Sequence, residues 1–109
     1  MTTVYFVPFE IETYAPITQA EIIPLAWEKW TISSEAETSR LITSLSQGDE
    51  EKFDENKVRA LVLSDEQKYF IDSNGVVLKR GKLGNRIDKA AFIQFRDSLR
   101  ADQRQMLGK

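Results

Sequence analysis

The chain has 109 residues, with 17 Asp/Glu, 15 Lys/Arg, a net charge of −2, and neither histidine nor cysteine. One domain is expected at this length. The missing residue types exclude Ser–His and Cys–His nucleophile pairs, imidazole acid–base catalysis, disulfide scaffolds and thiolate zinc sites.

The apolar share includes 6 Phe, 3 Tyr and 2 Trp, enough aromatic material for one core and more than a disordered chain carries. No apolar run approaches the roughly 18 residues of a membrane span. The start, Met1-Thr2-Thr3-Val4-Tyr5-Phe6, lacks the basic opening and long apolar stretch of a signal peptide. A cytoplasmic protein without membrane contact is therefore expected. Charge is split along the chain: residues 1–57 hold 11 acids and 4 bases, and residues 58–109 hold 6 acids and 11 bases.

Residues 3–13 are rich in β-branched and aromatic types and read as a strand. Pro8 cannot donate a ladder hydrogen bond, so this strand is expected at an edge or bulged. Glu10 and Glu12 would then share one face. Thr18 with Glu21 three residues on can open a helical turn, which Pro24 would end. Residues 25–32 alternate, with Trp27 and Trp30 on opposite faces of a strand: one core, the other a candidate for exposure. Ser34 and Glu37 form a capping box, Gly48 is a C-terminal cap, and Leu41, Ile42 and Leu45 share one side, so a helix is predicted over 34–47. Residues 49–57 read as an acidic loop whose Phe53 anchors into the core. Val58 to Leu63 is a compact strand. Residues 67–72 and 76–80 form a hairpin about Ser73-Asn74-Gly75, because Asn-Gly supplies the positive φ of a tight turn. Gly81 and Gly84 mark a loop. Asp88 caps a last helix over about 88–105, with Phe92, Phe95, Leu99 and Met106 on its apolar face. The order predicts a single α+β domain over 1–109: a mainly antiparallel sheet of about five strands with two main helices packed on it.

Few residues carry catalytic chemistry. Glu10 and Glu12 could serve as a carboxylate pair in a cleft, or simply form a solvated face. The run Asp49–Asn56 lacks the alternating acids and central glycine of a calcium loop, so no metal is expected. Gly81-Lys82 lacks P-loop spacing. No cofactor is implied. Lys79, Arg80, Lys82, Arg86, Lys89, Arg96, Arg100 and Arg104 could follow nucleic-acid phosphates. The acidic total and the interruptions at Asp88, Asp97 and Asp102 weigh against that, and internal pairing or solvation is the plainer role.

The late hairpin Lys68-Tyr69-Phe70-Ile71-Asp72-Ser73-Asn74-Gly75-Val76-Val77-Leu78, followed by a closing helix from Asp88, resembles bacterial immunity proteins. These neutralise the toxins of contact-dependent growth inhibition and related competition systems. The resemblance covers roughly residues 58–100 and assigns no role to any numbered residue. It implies a cytosolic, non-catalytic inhibitor, not an enzyme, that binds a toxin domain as a heterodimer. Toxin nuclease domains are often basic, so an acidic inhibitor surface would steer association. Candidate contributors are Glu35, Glu37, Asp49, Glu50, Glu51, Asp54 and Glu55, with Trp30 or Phe53 as an apolar anchor. The alternative is a nucleic-acid-binding accessory protein using the basic C-terminal helix. A carboxylate enzyme ranks last.

Overall fold

The computed structural model describes residues 1–108. Its backbone is an eight-stranded sheet in the order β3-β7-β6-β5-β4-β1-β2-β8, with every neighbouring pair antiparallel. The strands are β1 (Thr2–Phe6), β2 (Glu28–Ile32), β3 (Glu50–Lys52), β4 (Val58–Ser64), β5 (Gln67–Asp72), β6 (Val76–Arg80), β7 (Leu83–Arg86) and β8 (Arg104–Met106). The helices are α1 (Ile22–Leu25), α2 (Glu35–Ser44) and α3 (Lys89–Asp97), and a 3-10 turn covers Ala101–Gln103.

The α+β class and the antiparallel sheet agree with the sequence. The strand count does not: eight replace about five. The additions β3, β7 and β8 have three or four residues each. Strands that short show too few alternations to read from a sequence.

Two cores sandwich the sheet. On one face Val4, Phe6, Trp30, Ile32, Ala60, Val62, Ile71 and Val77 meet Leu41 of α2, Leu45 just after it and Phe92 of α3. Phe6, Trp30 and Phe92 are mutually within 5.3–5.9 Å, centroid to centroid. Such pairs each add about 0.5–1.5 kcal/mol beyond area burial. On the second face Val7, Val58, Leu61 and Val76 bury Ile17 and Ile22 from the β1–β2 connection and Phe53 from the β3–β4 connection. Buried on both faces, β4 reads as the continuous apolar run seen in its sequence.

The predicted hairpin is present with its predicted bounds. Gly75 has φ +86, and the buried Asp72 carboxylate accepts from the Asn74, Val76 and Asp54 amides. Ser34 caps α2 by accepting from the Glu37 amide, but Glu37 does not complete the capping box; its Oε1 accepts from Gln103 Nε2 instead. The helix ends at Ser44, short of 47, with Leu45 as C-cap. Gly48 is needed for another reason: at φ +106 its missing Cβ would lie 1.8 Å from the Arg86 carbonyl oxygen.

Three further expectations are corrected. β1 ends at Phe6 and lies between β4 and β2, an interior position that Pro8 escapes by following the strand. Pro24 lies within α1, in the first turn, where an amide would have no intrahelical acceptor anyway. The last helix stops at Asp97. The chain then turns through Ala101–Gln103 and returns as β8 beside β2, which leaves Met106 exposed and off the apolar face.

Candidate partner-binding surface

Of the 21 residues between β1 and β2, Phe9 packs into the first core against Phe92, and the chain from Ile11 onward forms a strap across the second face of the sheet. A connection that long within one domain is usually functional or disordered. This one is ordered by specific ties. Ile17 and Ile22 are buried, the Val58 amide donates to the Ile17 carbonyl at 2.9 Å, and the Trp27 amide donates to Phe6 at 2.9 Å. The buried Arg59 guanidinium reaches out of β4 and donates to the Ile11 carbonyl at 2.9 Å. Burial pushes that guanidinium down from its ordinary value, opposed by the nearby charges of Glu12, Asp54 and Asp72. At the start of α1, Thr18 Oγ1 donates to Glu21 Oε1 at 3.0 Å, the turn that the Thr18–Glu21 spacing predicts.

The outer side of the strap is both apolar and acidic. Ile23, Leu25 and Trp27 are 47 %, 40 % and 37 % exposed, and Tyr14 is fully exposed. Glu12 and Glu21 lie on the strap itself, whereas Glu10 shares a shallow cavity with Lys89, Ala90 and Ile93 of α3 beside the first core. Asp54 and Glu55 follow Phe53 on the adjoining loop, whose Glu55 and Asn56 share a shallow cavity of about 280 Å³ with Thr18, Gln19 and Ala20. Residues 11–27 and 53–57 thus hold four carboxylates and one cation, Lys57, with Lys52 and Lys82 sharing a cavity with Asp54 and Glu55.

The residues predicted from the sequence scatter. Trp30 is 0 % exposed, and its indole N–H is satisfied by Glu28 Oε1 at 3.0 Å. Phe53 is 3 % exposed and packs in the second core. Neither presents a surface to a partner. Burial is the stronger driver for both, because each side chain alternates inward in its segment.

The predicted acids fall in three places. Glu35 and Glu37 open α2, about 15 Å from its other end. Asp49, Glu50 and Glu51 lie on or beside β3, against a hairpin that carries Lys79, Arg80, Lys82 and Arg86. Arg86 pairs with Glu51 at 3.4 Å. Cations outnumber these three carboxylates there, so the acidic run is neutralised where the two halves of the chain fold against each other at this edge. Asp54 and Glu55 alone adjoin the acidic strap. Glu12 and Glu21 are not among the partner contacts that the sequence predicts. The parity of Trp27 against Trp30 is the signal available for an exposed anchor.

The cations are dispersed as well. Arg96 is held by Glu28, with Nε donating to Oε1 at 2.9 Å and Nη2 to Oε2, and it also pairs with Asp97 at 2.8 Å. Arg100 pairs with Asp102, Lys89 Nζ donates to the Ser73 carbonyl, and Arg104 lies on β8. Burial alone would push the Glu28 carboxyl up. Hydrogen bonds from Arg96 and Trp30, with the charges of Arg96 and Arg104, outweigh burial and hold it below its ordinary value. Bonding to Glu28 raises Arg96 in turn.

Among the described residues no three acidic side chains converge where a metal ion could sit, and no helix is long and apolar enough to cross a membrane. Glu10 and Glu12, the candidate catalytic pair, lie in the connection between β1 and β2 and not on a strand. No family model, curated protein or solved structure matches this chain.

Proposed function

We propose that this protein is a non-catalytic inhibitor of the immunity type, which occludes a basic toxin domain with the acidic, apolar strap. One observation carries the reading: residues 11–27 and 53–57 hold four exposed large apolar side chains and four carboxylates, with Lys57 the single cation of these two segments. Exposed apolar clusters rimmed by charge mark interaction sites on soluble domains. Carboxylates at the rim raise the rate of encounter with a cationic partner, and a central tryptophan supplies the slow dissociation. A nuclease-like toxin is cationic where it holds phosphate, so the strap would cover the groups that the toxin needs.

The test is a contact-competition assay in the native host. Cells lacking the protein should be outgrown by parental cells in contact, and wild-type protein should restore parity. The folded double variant Leu25→Asp, Trp27→Asp should not. Equal growth of deleted and parental cells would reject the reading, and full protection by the double variant would reject the strap as its surface.

A further inference from the structure

The outer edge of β3 is complementary to itself. β3 is the terminal strand of the sheet, bonded on one side to β7. The Arg86 amide donates to Asp49, the Phe53 amide donates to Lys82, and Glu51 lies opposite Gly84. Antiparallel ladders alternate, so Asp49, Glu51 and Phe53 turn their backbone groups toward β7, while Glu50 and Lys52 turn theirs outward. Natural edge strands are usually blunted by charge. Here the two outward residues carry opposite charges and flank one central residue.

We infer that two copies of this chain associate through β3, antiparallel about a two-fold axis at Glu51. In that register Glu50 of each copy lies opposite Lys52 of the other. Both residues turn N–H and C=O groups to the facing edges, so the pairing forms backbone hydrogen bonds and two cross-strand Glu–Lys pairs at once. A two-fold axis requires such self-complementarity, and a slip of one residue destroys it. The two Glu51 side chains meet on the opposite face, where the Arg86 of each copy, 3.4 Å from its own Glu51, offsets their repulsion. Among the described residues neither Glu50 nor Lys52 has an ion-pair partner in its own chain. The contact is only a few residues long, so the dimer is weak and favoured by low salt. The strap lies over β1 and β4 and stays free, so this association does not depend on the proposed function.

Sedimentation velocity over a concentration series at low and high salt tests it. The wild type should shift from monomer toward dimer as concentration rises, less so at high salt. Glu50→Lys alone and Lys52→Glu alone should each weaken association about tenfold, because each places like charges opposite one another. An equimolar mixture of the two variants should associate again, since the two lysines of one variant then face the two glutamates of the other. The double variant Glu50→Lys, Lys52→Glu should match the wild type. Circular dichroism melts confirm that each variant is folded. A wild type that stays monomeric throughout, single variants that associate as tightly as the wild type, or a mixture that associates no better than the single variants would each overturn the proposal.

Discussion

Trp27 and Trp30 stand three positions apart and have opposite fates. Trp30 fills the centre of the first core and donates its N–H to Glu28, whereas Trp27 sits just before the strand with its ring partly in solvent. Trp30→Ala should therefore cost about 3–5 kcal/mol in urea unfolding, and Trp27→Ala about 1 kcal/mol. Equal losses would mean that the two rings are not divided between core and surface. Glu28 gives a second test. Its native carboxyl is held below the ordinary value, so the native state binds fewer protons than the unfolded chain. Its contribution is complete above the ordinary glutamate value of about 4.3 and is lost as pH falls through the depressed native value. Glu28→Gln should lower stability at neutral pH by about 2–4 kcal/mol, leaving Arg96 without its partner. The gap between variant and wild type should close in acid. A gap independent of pH would show that the charge at Glu28 does not matter.

At the scale of elements, local sequence chemistry and the structure agree wherever a residue bonds to its own neighbourhood. Asp88 caps α3 by accepting from the Ala90 and Ala91 amides, Ser34 caps α2, and Asn74-Gly75 turns the β5–β6 hairpin. Agreement fails where an element exists only through a distant partner. β3 needs β7, β8 needs β2, and the last helix is cut at Asp97 so that the chain can reach β2. Asp72 joins the two kinds of element. Its carboxylate holds the turn through Asn74 and Val76 and, through the Asp54 amide, ties the loop from β3 to the same point. Asp72→Ala should destabilise the fold by about 3 kcal/mol, with the amides of Asp54, Asn74 and Val76 gaining faster hydrogen exchange than those of β1. Unchanged exchange at Asp54 would separate that loop from the turn.

At the scale of the whole molecule, the charge split along the sequence does not become a split between two surfaces. The acidic run beginning at Asp49 lies beside the cationic hairpin at one edge of the sheet, and Arg96 closes on Glu28 from the other half of the chain. The acidic surface that remains comes from Glu12 and Glu21, brought toward Asp54 and Glu55 when the strap packs against the start of β4. The α+β class, the two main helices, the hairpin and the placement of Trp27 and Trp30 on opposite faces follow from periodicity, caps and turn residues, which act within a few positions along the chain, whereas which of the two rings is buried does not. Strand order, the edge strands, the pairing of charges and the makeup of the acidic strap depend on contacts between residues tens of positions apart. Tertiary packing alone decided these, because a side chain's exposure and the charge beside it depend on what folds over it, and local pattern does not record that.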